Sequence, residues 1–195
     1  GNIYFLRQKE TKGLGHAVLC AKNFIGNEPF AVLYGDDVIL SDVPATKQLC
    51  DAYEKYGKGV VGVKEVPGLA ITKYCSLKTE HIEDNCYKCT DMIEKPKPEE
   101  IMGNFSILGR VVLPPEIFDI LEETPLGAGN ELQLTDAMKT LAQTAGVVAV
   151  EYEGKRYDMG NKFGILEANI EVGLKHPETK DELKDYIKKI AESLD

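Results

Sequence analysis

Residues 30–37, FAVLYGDD, decide the fold more than any other stretch of the chain. The run from Phe30 to Tyr34 is continuously apolar and lies between a proline and a glycine, which predicts a strand covered on both faces. Ligands of open α/β sheets bind outside the carboxyl ends of strands, so Asp36 and Asp37 are expected to face a crevice. Gly-Asp-Asp is also ordinary turn chemistry, so this motif alone leaves a plain turn open.

The sequence on either side alternates between strand and helix patterns. Predicted strands cover 3–7, 30–34, 59–66, 72–78, 86–94, 104–113 and 147–152, and predicted helices cover 16–23, 45–56, 116–123, 135–144, 162–175 and 179–194. This alternation predicts an α/β fold with a doubly wound, mostly parallel sheet. The polar stretch 79–85 joins two strand patterns directly, which predicts a small antiparallel excursion, and two helices end the chain.

Length and composition restrict the class of protein. A chain of 195 residues with 43% hydrophobic content predicts one domain over residues 1–195. The net charge is 23 − 32 = −9, which argues against a nucleic-acid-binding surface. The sequence contains no apolar run of about 18–20 residues and no signal-peptide core, so we expect no membrane partner and a cytoplasmic location.

The five cysteines form an odd, scattered set, so a disulfide framework is not expected. Cys86 and Cys89 have the spacing of a metal or redox motif, and a module of that kind is one alternative. Structural zinc sites need four ligands, and no second pair accompanies these two residues. We therefore expect both to be ordinary strand residues.

Three charged motifs could act together. Asp36 and Asp158 each lie at a predicted sheet edge, where two carboxylates can bracket one hard cation such as Mg²⁺. Glu94 and Lys95, in the Glu94-Lys95-Pro96 run, suit sugar hydroxyls and a phosphate respectively. The alternatives are a helix cap at Asp158 and a solvated strand end at Pro96.

A glycine-containing loop precedes the first predicted helix. Gly13 and Gly15 flank Leu14 just before His16, so backbone amides can approach a nucleotide closely at a helix N-terminus. The spacing matches neither the Walker loop nor G-x-G-x-x-G. We expect His16 to be a helix-start residue rather than a base.

The order of these motifs resembles one family closely. The motifs are RQKETKGLGHAV (7–18), GDD (35–37), EKP (94–96), NFSILGRVVL (104–113), GAGNELQLTDA (127–137) and YDMGNKFG (157–164). Together they look like the bacterial UTP–glucose-1-phosphate uridylyltransferases, over essentially the whole chain. The resemblance implies a Rossmann-like nucleotide-sugar transferase fold. It also implies that UTP and glucose 1-phosphate are converted to UDP-glucose and pyrophosphate with Mg²⁺.

The resemblance assigns the nucleotide and metal roles residue by residue. Gln8 matches a glutamine that reads the uracil edge, and Gly13 matches a glycine whose backbone holds that base. Asp36 matches the first Mg²⁺ ligand and is also a catalytic residue, with Asp37 as an alternative within the doublet. Asp158 matches the second metal ligand.

The sugar side of the site follows in the same way. Glu94 matches the residue that contacts glucose hydroxyls, and Lys95 matches the catalytic residue that contacts the sugar phosphate. Tyr74 belongs to a tyrosine-glycine pair whose backbone lies near the sugar. Cys75 replaces that glycine, which puts the contact in doubt.

The family also opens with a strand and a glycine-rich triphosphate loop that residues 1–195 do not contain. We therefore expect an N-terminally truncated chain that lacks turnover and that self-associates as a homo-oligomer through unpaired strand edges. Two other readings remain. One is a sister nucleotidyltransferase with another nucleotide or sugar, and the other is a non-catalytic sugar-nucleotide-binding or assembly domain.

Overall fold

The computed structural model describes residues 1–194 and has an α/β fold. Its strands are β1 (Phe30–Leu33), β2 (Asp37–Leu40), β3 (Gly59–Glu65), β4 (Cys75–Glu83), β5 (Cys86–Glu94), β6 (Phe105–Leu113), β7 (Val147–Glu151) and β8 (Lys155–Asp158). Its helices are α1 (Leu14–Leu19), α2 (Lys22–Ile25), α3 (Ala45–Tyr56), α4 (Ile117–Glu123), α5 (Leu134–Gln143), α6 (Lys162–Lys175) and α7 (Lys180–Ala191). Short 3₁₀ turns occupy Gly68–Lys73, Pro98–Glu100 and Ala128–Asn130.

Six strands form the main sheet in the order β1-β6-β3-β7-β5-β4, and β2 and β8 form a separate two-stranded ribbon. The α/β class and the antiparallel β4·β5 excursion are confirmed. The expected dominance of parallel pairing is wrong for this part of the chain, since only β3 and β7 pair in parallel. The reason is that β6 runs back between β1 and β3, and β5 runs back beside β7, so strands that point the same way are separated.

Helices cover both faces of the main sheet. On one face α4 and α5 bury Phe118, Leu121, Met138 and Leu141 against the strands. On the other face α3 buries its stripe around Leu49. Burial of apolar surface between these layers stabilises the fold by about 25 cal/mol for each Å² removed from water. The site described below lies where loops leave this two-sided core.

Two local predictions at the N-terminal end are wrong. Residues 3–7 are not a strand but an irregular segment in which Phe5 is 95% exposed, because no strand in the described part of the chain supplies hydrogen bonds to it. The strand at Phe30 is present but is not covered on both faces. Among the described residues 1–194 it is an edge strand paired only with β6, and Leu33 is 53% exposed.

Smaller differences concern element boundaries. The predicted helix over 16–23 is broken into α1 and α2, and the strand expected from residue 72 begins at Cys75 after a 3₁₀ turn. Cys86 and Cys89 lie in β5, the first half-buried and the second fully buried. Among residues 1–194, no helix combines the length and apolar composition needed to cross a bilayer.

Candidate active site

The ribbon of β2 and β8 brings together carboxylates that are far apart in the sequence. Its register places Asp37 opposite Asp158, and the Met159 N–H donates to the Asp36 carbonyl oxygen at 2.7 Å. A methyl group built on Gly160 would lie 3.1 Å from Asp158 Oδ1 and 3.2 Å from Asp36 Oδ2. These two oxygens therefore lie within about 3.2 Å of one point, and a side chain at residue 160 would crowd both of them.

The two residues of the aspartate doublet have different surroundings. The Asp37 side chain is only 5% exposed and forms an ion pair with the Nε of Arg156. Burial is the main cause that raises the pKa of Asp37, and the neighbouring Arg156 opposes it. Asp36 is exposed. Of the pair, Asp36 is thus the residue with carboxylate oxygens available to a ligand.

Asp158 is held from two sides. Its Oδ1 accepts the Gly160 N–H at 2.9 Å. Its Oδ2 accepts the Tyr74 hydroxyl at 3.3 Å and lies 3.7 Å from Nη2 of Arg156. The Arg156 guanidinium also lies over the Tyr74 ring, 5.5 Å from the centroid. Each carboxylate oxygen of Asp158 therefore has its own partners.

Glu94 ends β5 and borders the same cavity. Its Oε2 accepts a 2.7 Å hydrogen bond from the hydroxyl of Thr135, near the start of α5. Thr135 is only 9% exposed, so this hydrogen bond fixes the carboxylate in a sheltered position. The second oxygen of Glu94 has no such partner in the described part of the chain.

Lys95 follows in a strained backbone conformation. Its φ is +46°, a value that side chains other than glycine rarely adopt, and its N–H donates to the Tyr74 carbonyl at 2.7 Å. The Lys95 side chain is exposed and does not line the cavity. The structure thus places Lys95 beside Glu94 but outside the lining.

A cavity of about 200 Å³ joins these groups. Its polar lining includes Asp36, Glu94, Thr135, Arg156 and Asp158. A larger apolar groove of about 810 Å³ lies under α6 and α7, but it contains none of the converging carboxylates. The smaller cavity is therefore the candidate site, because the charged groups converge there.

The glycine loop lies next to this cavity rather than inside it. Gln8 Nε2 donates to the Gly13 carbonyl at 3.1 Å and lies 2.9 Å from His16 Nδ1. Gly13 has φ +93°, and a methyl group there would lie 2.7 Å from the Glu131 Cβ. Neither Gln8 nor Gly13 lines the cavity, whereas Leu14 does. Gln8 thus contacts one end of the glycine loop, and Leu14 in the same loop lines the carboxylate cavity.

Cys75 has a packing role. Its sulfur accepts the Ile107 N–H at 3.2 Å and lies 3.4 Å from Ser106 Oγ on β6. Burial raises the pKa of the Cys75 thiol to about 11. The side chain that replaces the family glycine is therefore a buried neutral thiol at the edge of the cavity.

Sequence reasoning missed three features of the site: the Arg156 guanidinium, the Thr135 hydroxyl and the side-chain role of Tyr74. Arg156 and Asp158 are two residues apart on β8, so strand alternation places them on the same face. Thr135 lies inside the GAGNELQLTDA motif, which gave the resemblance but no residue role. Alternation and motif membership were the signals that could have found them.

The model of the nucleotidyl transferase family matches residues 1–173, and the chain belongs to that family. Within it, the chain is 50% identical over 189 residues to a UTP–glucose-1-phosphate uridylyltransferase of Staphylococcus epidermidis. It is 46% identical over 189 residues to a UTP–glucose-1-phosphate uridylyltransferase of Bacillus subtilis. The alignments cover 97% of this chain but only 66% and 64% of those two proteins.

Solved structures agree. A UDP-glucose pyrophosphorylase complexed with UDP-glucose superposes with a TM-score of 0.86 at 40% identity, covering 89% of this chain and 66% of that one. A UDP-glucose pyrophosphorylase from Acinetobacter baumannii gives a TM-score of 0.84 at 31% identity, with coverages of 95% and 65%. The family resemblance and the nucleotidyltransferase fold expected from the motifs are confirmed.

Proposed function

We propose that this site belongs to an enzyme that transfers a uridylyl group from UTP to glucose 1-phosphate, giving UDP-glucose and pyrophosphate, and that residues 1–195 by themselves lack turnover. The observation that carries this proposal is the approach of Asp36 Oδ2 and Asp158 Oδ1 to one point, beside the sheltered carboxylate of Glu94. The relatives named above, which are uridylyltransferases of this type, support the choice of nucleotide and sugar.

Asp36 and Asp158 would hold Mg²⁺. Residues 1–194 contain no group of three or more side chains spaced to bind a metal by themselves. Two carboxylates nevertheless fit this cation, because Mg²⁺ is usually held by one or two carboxylates together with substrate phosphates. When bound, the cation supplies charge neutralisation to the reacting phosphates. Asp37 is the weaker candidate, since its buried carboxylate is already paired with Arg156.

The remaining side chains would position the substrates. Thr135 occupies one oxygen of Glu94, which leaves the other to accept glucose hydroxyls. Lys95 would pair with the sugar phosphate, and the Tyr74–Cys75 backbone would lie beside the sugar. No general base is needed because the attacking phosphate is already ionised near pH 7. The chain's contribution is therefore orientation and electrostatic stabilisation.

The uracil would bind at the glycine loop. Gln8 reaches that loop through the Gly13 carbonyl, and the loop is joined to the residue-132 region by two backbone hydrogen bonds of 2.9 and 2.8 Å. A base edge placed here would meet the Gln8 amide and backbone groups. The position of the loop next to Leu14, which lines the cavity, supports one continuous nucleotide-sugar site.

We also infer that copies of the chain associate as a homo-oligomer in the cytoplasm. The outer edge of β1 is unpaired in the described chain, and Leu33 on it is 53% exposed. Such an edge is a template for pairing with another strand. Sedimentation of the purified chain would test this part, and a stable monomer would contradict it.

The substrate assignment can be tested by binding. Calorimetry with UDP-glucose, UDP and dTDP-glucose in the presence of Mg²⁺ should show a preference for UDP-glucose over both others. Glu94→Gln should remove most of the advantage of UDP-glucose over UDP, about tenfold for a hydrogen bond to a charged group. Glu83→Gln, at the other end of the same hairpin, is the matched control.

Two results would count against the proposal. A preference for dTDP-glucose would indicate a sister enzyme with another nucleotide. Equal affinities for UDP and UDP-glucose, unchanged in Glu94→Gln, would show that the cavity does not bind the sugar.

A further inference from the structure

The two carboxylate oxygens of Asp158 have different neighbours. Oδ2 receives the Tyr74 hydroxyl at 3.3 Å and lies 3.7 Å from Arg156 Nη2. Within residues 1–194, Oδ1 receives only a backbone N–H, that of Gly160, and it lies close to the same point as Asp36 Oδ2. One oxygen is thus engaged by side chains, and the other is presented to the second carboxylate.

Arg156 is itself fixed. Its Nε pairs with the buried Asp37 carboxylate, its side chain is only 16% exposed, and its guanidinium stacks over the Tyr74 ring. A guanidinium presents donors in a planar fork, so one group can pair with Asp37 on one side and approach Asp158 on the other. Contacts therefore connect four side chains, three on the β2–β8 ribbon and one just before β4: Asp37, Arg156, Asp158 and Tyr74.

An aspartate without such partners can rotate about its last torsion and present either oxygen, or both. Groups that hydrogen-bond a metal ligand orient it, and their loss typically weakens metal affinity 10–100-fold. We propose that Tyr74 and Arg156 are positioning residues that hold Oδ2 of Asp158, so that Oδ1 alone is offered to a divalent cation shared with Asp36. Asp37 serves this arrangement by holding Arg156.

This inference rests on the proposed function only in requiring a divalent cation at the site. It gives the Tyr74 side chain a role separate from the backbone contact with the sugar. It also explains why a second aspartate follows Asp36, although that second carboxylate is buried and paired.

Tyr74→Phe is the sharpest variant because it removes one oxygen and keeps the ring under Arg156. Tyr157→Phe is its matched control, since the Tyr157 hydroxyl donates to Glu171 Oε2 at 2.9 Å and lies next to Asp158 in the chain. Arg156→Lys keeps the positive charge but loses the fork. Keeping the positive charge is necessary in this test, because removing the charge of Arg156 would by itself strengthen the binding of a cation nearby.

The experiment is a titration of the chain, saturated with UDP-glucose, with Mn²⁺, in which the free ion is measured by electron paramagnetic resonance and UDP-glucose alone is titrated as the blank. Tyr74→Phe should weaken Mn²⁺ binding about tenfold, as expected for loss of a group that orients a ligand. Arg156→Lys should also weaken it, whereas Tyr157→Phe should match the original chain. The urea unfolding midpoint of Tyr74→Phe should equal that of Tyr157→Phe, which separates positioning from general damage.

The possible failures are distinguishable. Mn²⁺ binding that is lost in Asp158→Asn but unchanged in Tyr74→Phe and Arg156→Lys would overturn the positioning role and leave the proposed function intact. Absence of Mn²⁺ binding in the original chain would overturn both. Mn²⁺ binding that follows the predicted pattern in a chain that prefers dTDP-glucose would support the positioning role while the proposed function fails.

Discussion

Replacing Arg156 by methionine should destabilise the fold strongly, because it leaves the Asp37 carboxylate buried and unpaired. The Asp37 side chain is 5% exposed and that of Arg156 is 16% exposed. Breaking a buried ion pair by removing one partner costs about 3–5 kcal/mol. We expect the low end, about 3 kcal/mol, since Arg156 keeps some contact with solvent. That is a large share of the roughly 5–15 kcal/mol by which domains are stable.

The assay is urea unfolding followed by far-UV circular dichroism, since the chain contains no tryptophan. With a slope of about 2 kcal/mol per molar urea, a loss of about 3 kcal/mol lowers the midpoint by roughly 1.5 M. The double variant Asp37→Asn/Arg156→Met should recover much of this loss, because replacing both members of a buried pair is often nearly neutral.

Lys155→Met is the matched control. Lys155 precedes Arg156 on β8 and pairs with Glu171, but both side chains of that pair are substantially exposed. Its removal should leave the midpoint unchanged, as expected for a surface ion pair. An Arg156→Met midpoint equal to that of Lys155→Met would refute the reasoning, and so would a double variant no more stable than Arg156→Met.

Three further predictions concern other parts of the site. Thr135→Val removes the hydroxyl that holds the carboxylate ending β5, so UDP-glucose affinity measured by calorimetry should fall about tenfold. Gly13→Ala should lower the urea midpoint more than Gly57→Ala; both glycines have positive φ, but only at residue 13 does an added methyl group meet the facing loop. Mass spectrometry after alkylation at pH 8 should show exposed Cys20 modified and Cys75 protected, because burial raises the pKa of the Cys75 thiol to about 11.

Each of these has a contradicting outcome. Unchanged UDP-glucose affinity in Thr135→Val would mean that the hydrogen bond does not position the carboxylate for ligand. Equal midpoints for the two alanine variants would show that the loop contact yields easily. Rapid alkylation of Cys75 in folded protein would contradict its burial.

Local features of the fold were predictable where neighbouring residues determine them. The helix over 45–56 was predicted with the bounds of α3, because its apolar stripe is regular and Gly57, with φ +61°, ends it. The strand patterns over 86–94 and 104–113 likewise correspond to β5 and β6 within a residue. In each case the periodicity of a short window contains the information.

Features that depend on distant partners were not predictable in the same way. The segment 3–7 has a strand pattern, but no strand within residues 1–194 lies beside it to form hydrogen bonds. Alternation of strands and helices does not report strand direction, so the reversed path of β6 between β1 and β3 could not be read from it. The pairing of Asp37 with Arg156 could not be predicted for the same reason, since the two residues are 119 positions apart in the chain.

The candidate site was predicted in its parts but not in its connections. The positions of Asp36, Glu94 and Asp158 at strand ends follow from local pattern, and the structure brings all three to one cavity. The hydrogen bonds to Tyr74 and Thr135 depend on side-chain geometry across the fold. The sequence motifs therefore indicate the carboxylates, whereas the groups that orient those carboxylates come together only in the folded chain.

The most direct measurement of the central claim is calorimetry of UDP-glucose binding to this chain, with and without Mg²⁺, for the original sequence and for Asp36→Asn and Asp158→Asn. Convergence of the two carboxylates on one cation predicts that Mg²⁺ strengthens binding to the original chain and that either substitution abolishes this gain. The same Mg²⁺-dependent gain in both variants, or no gain in the original chain, would contradict it.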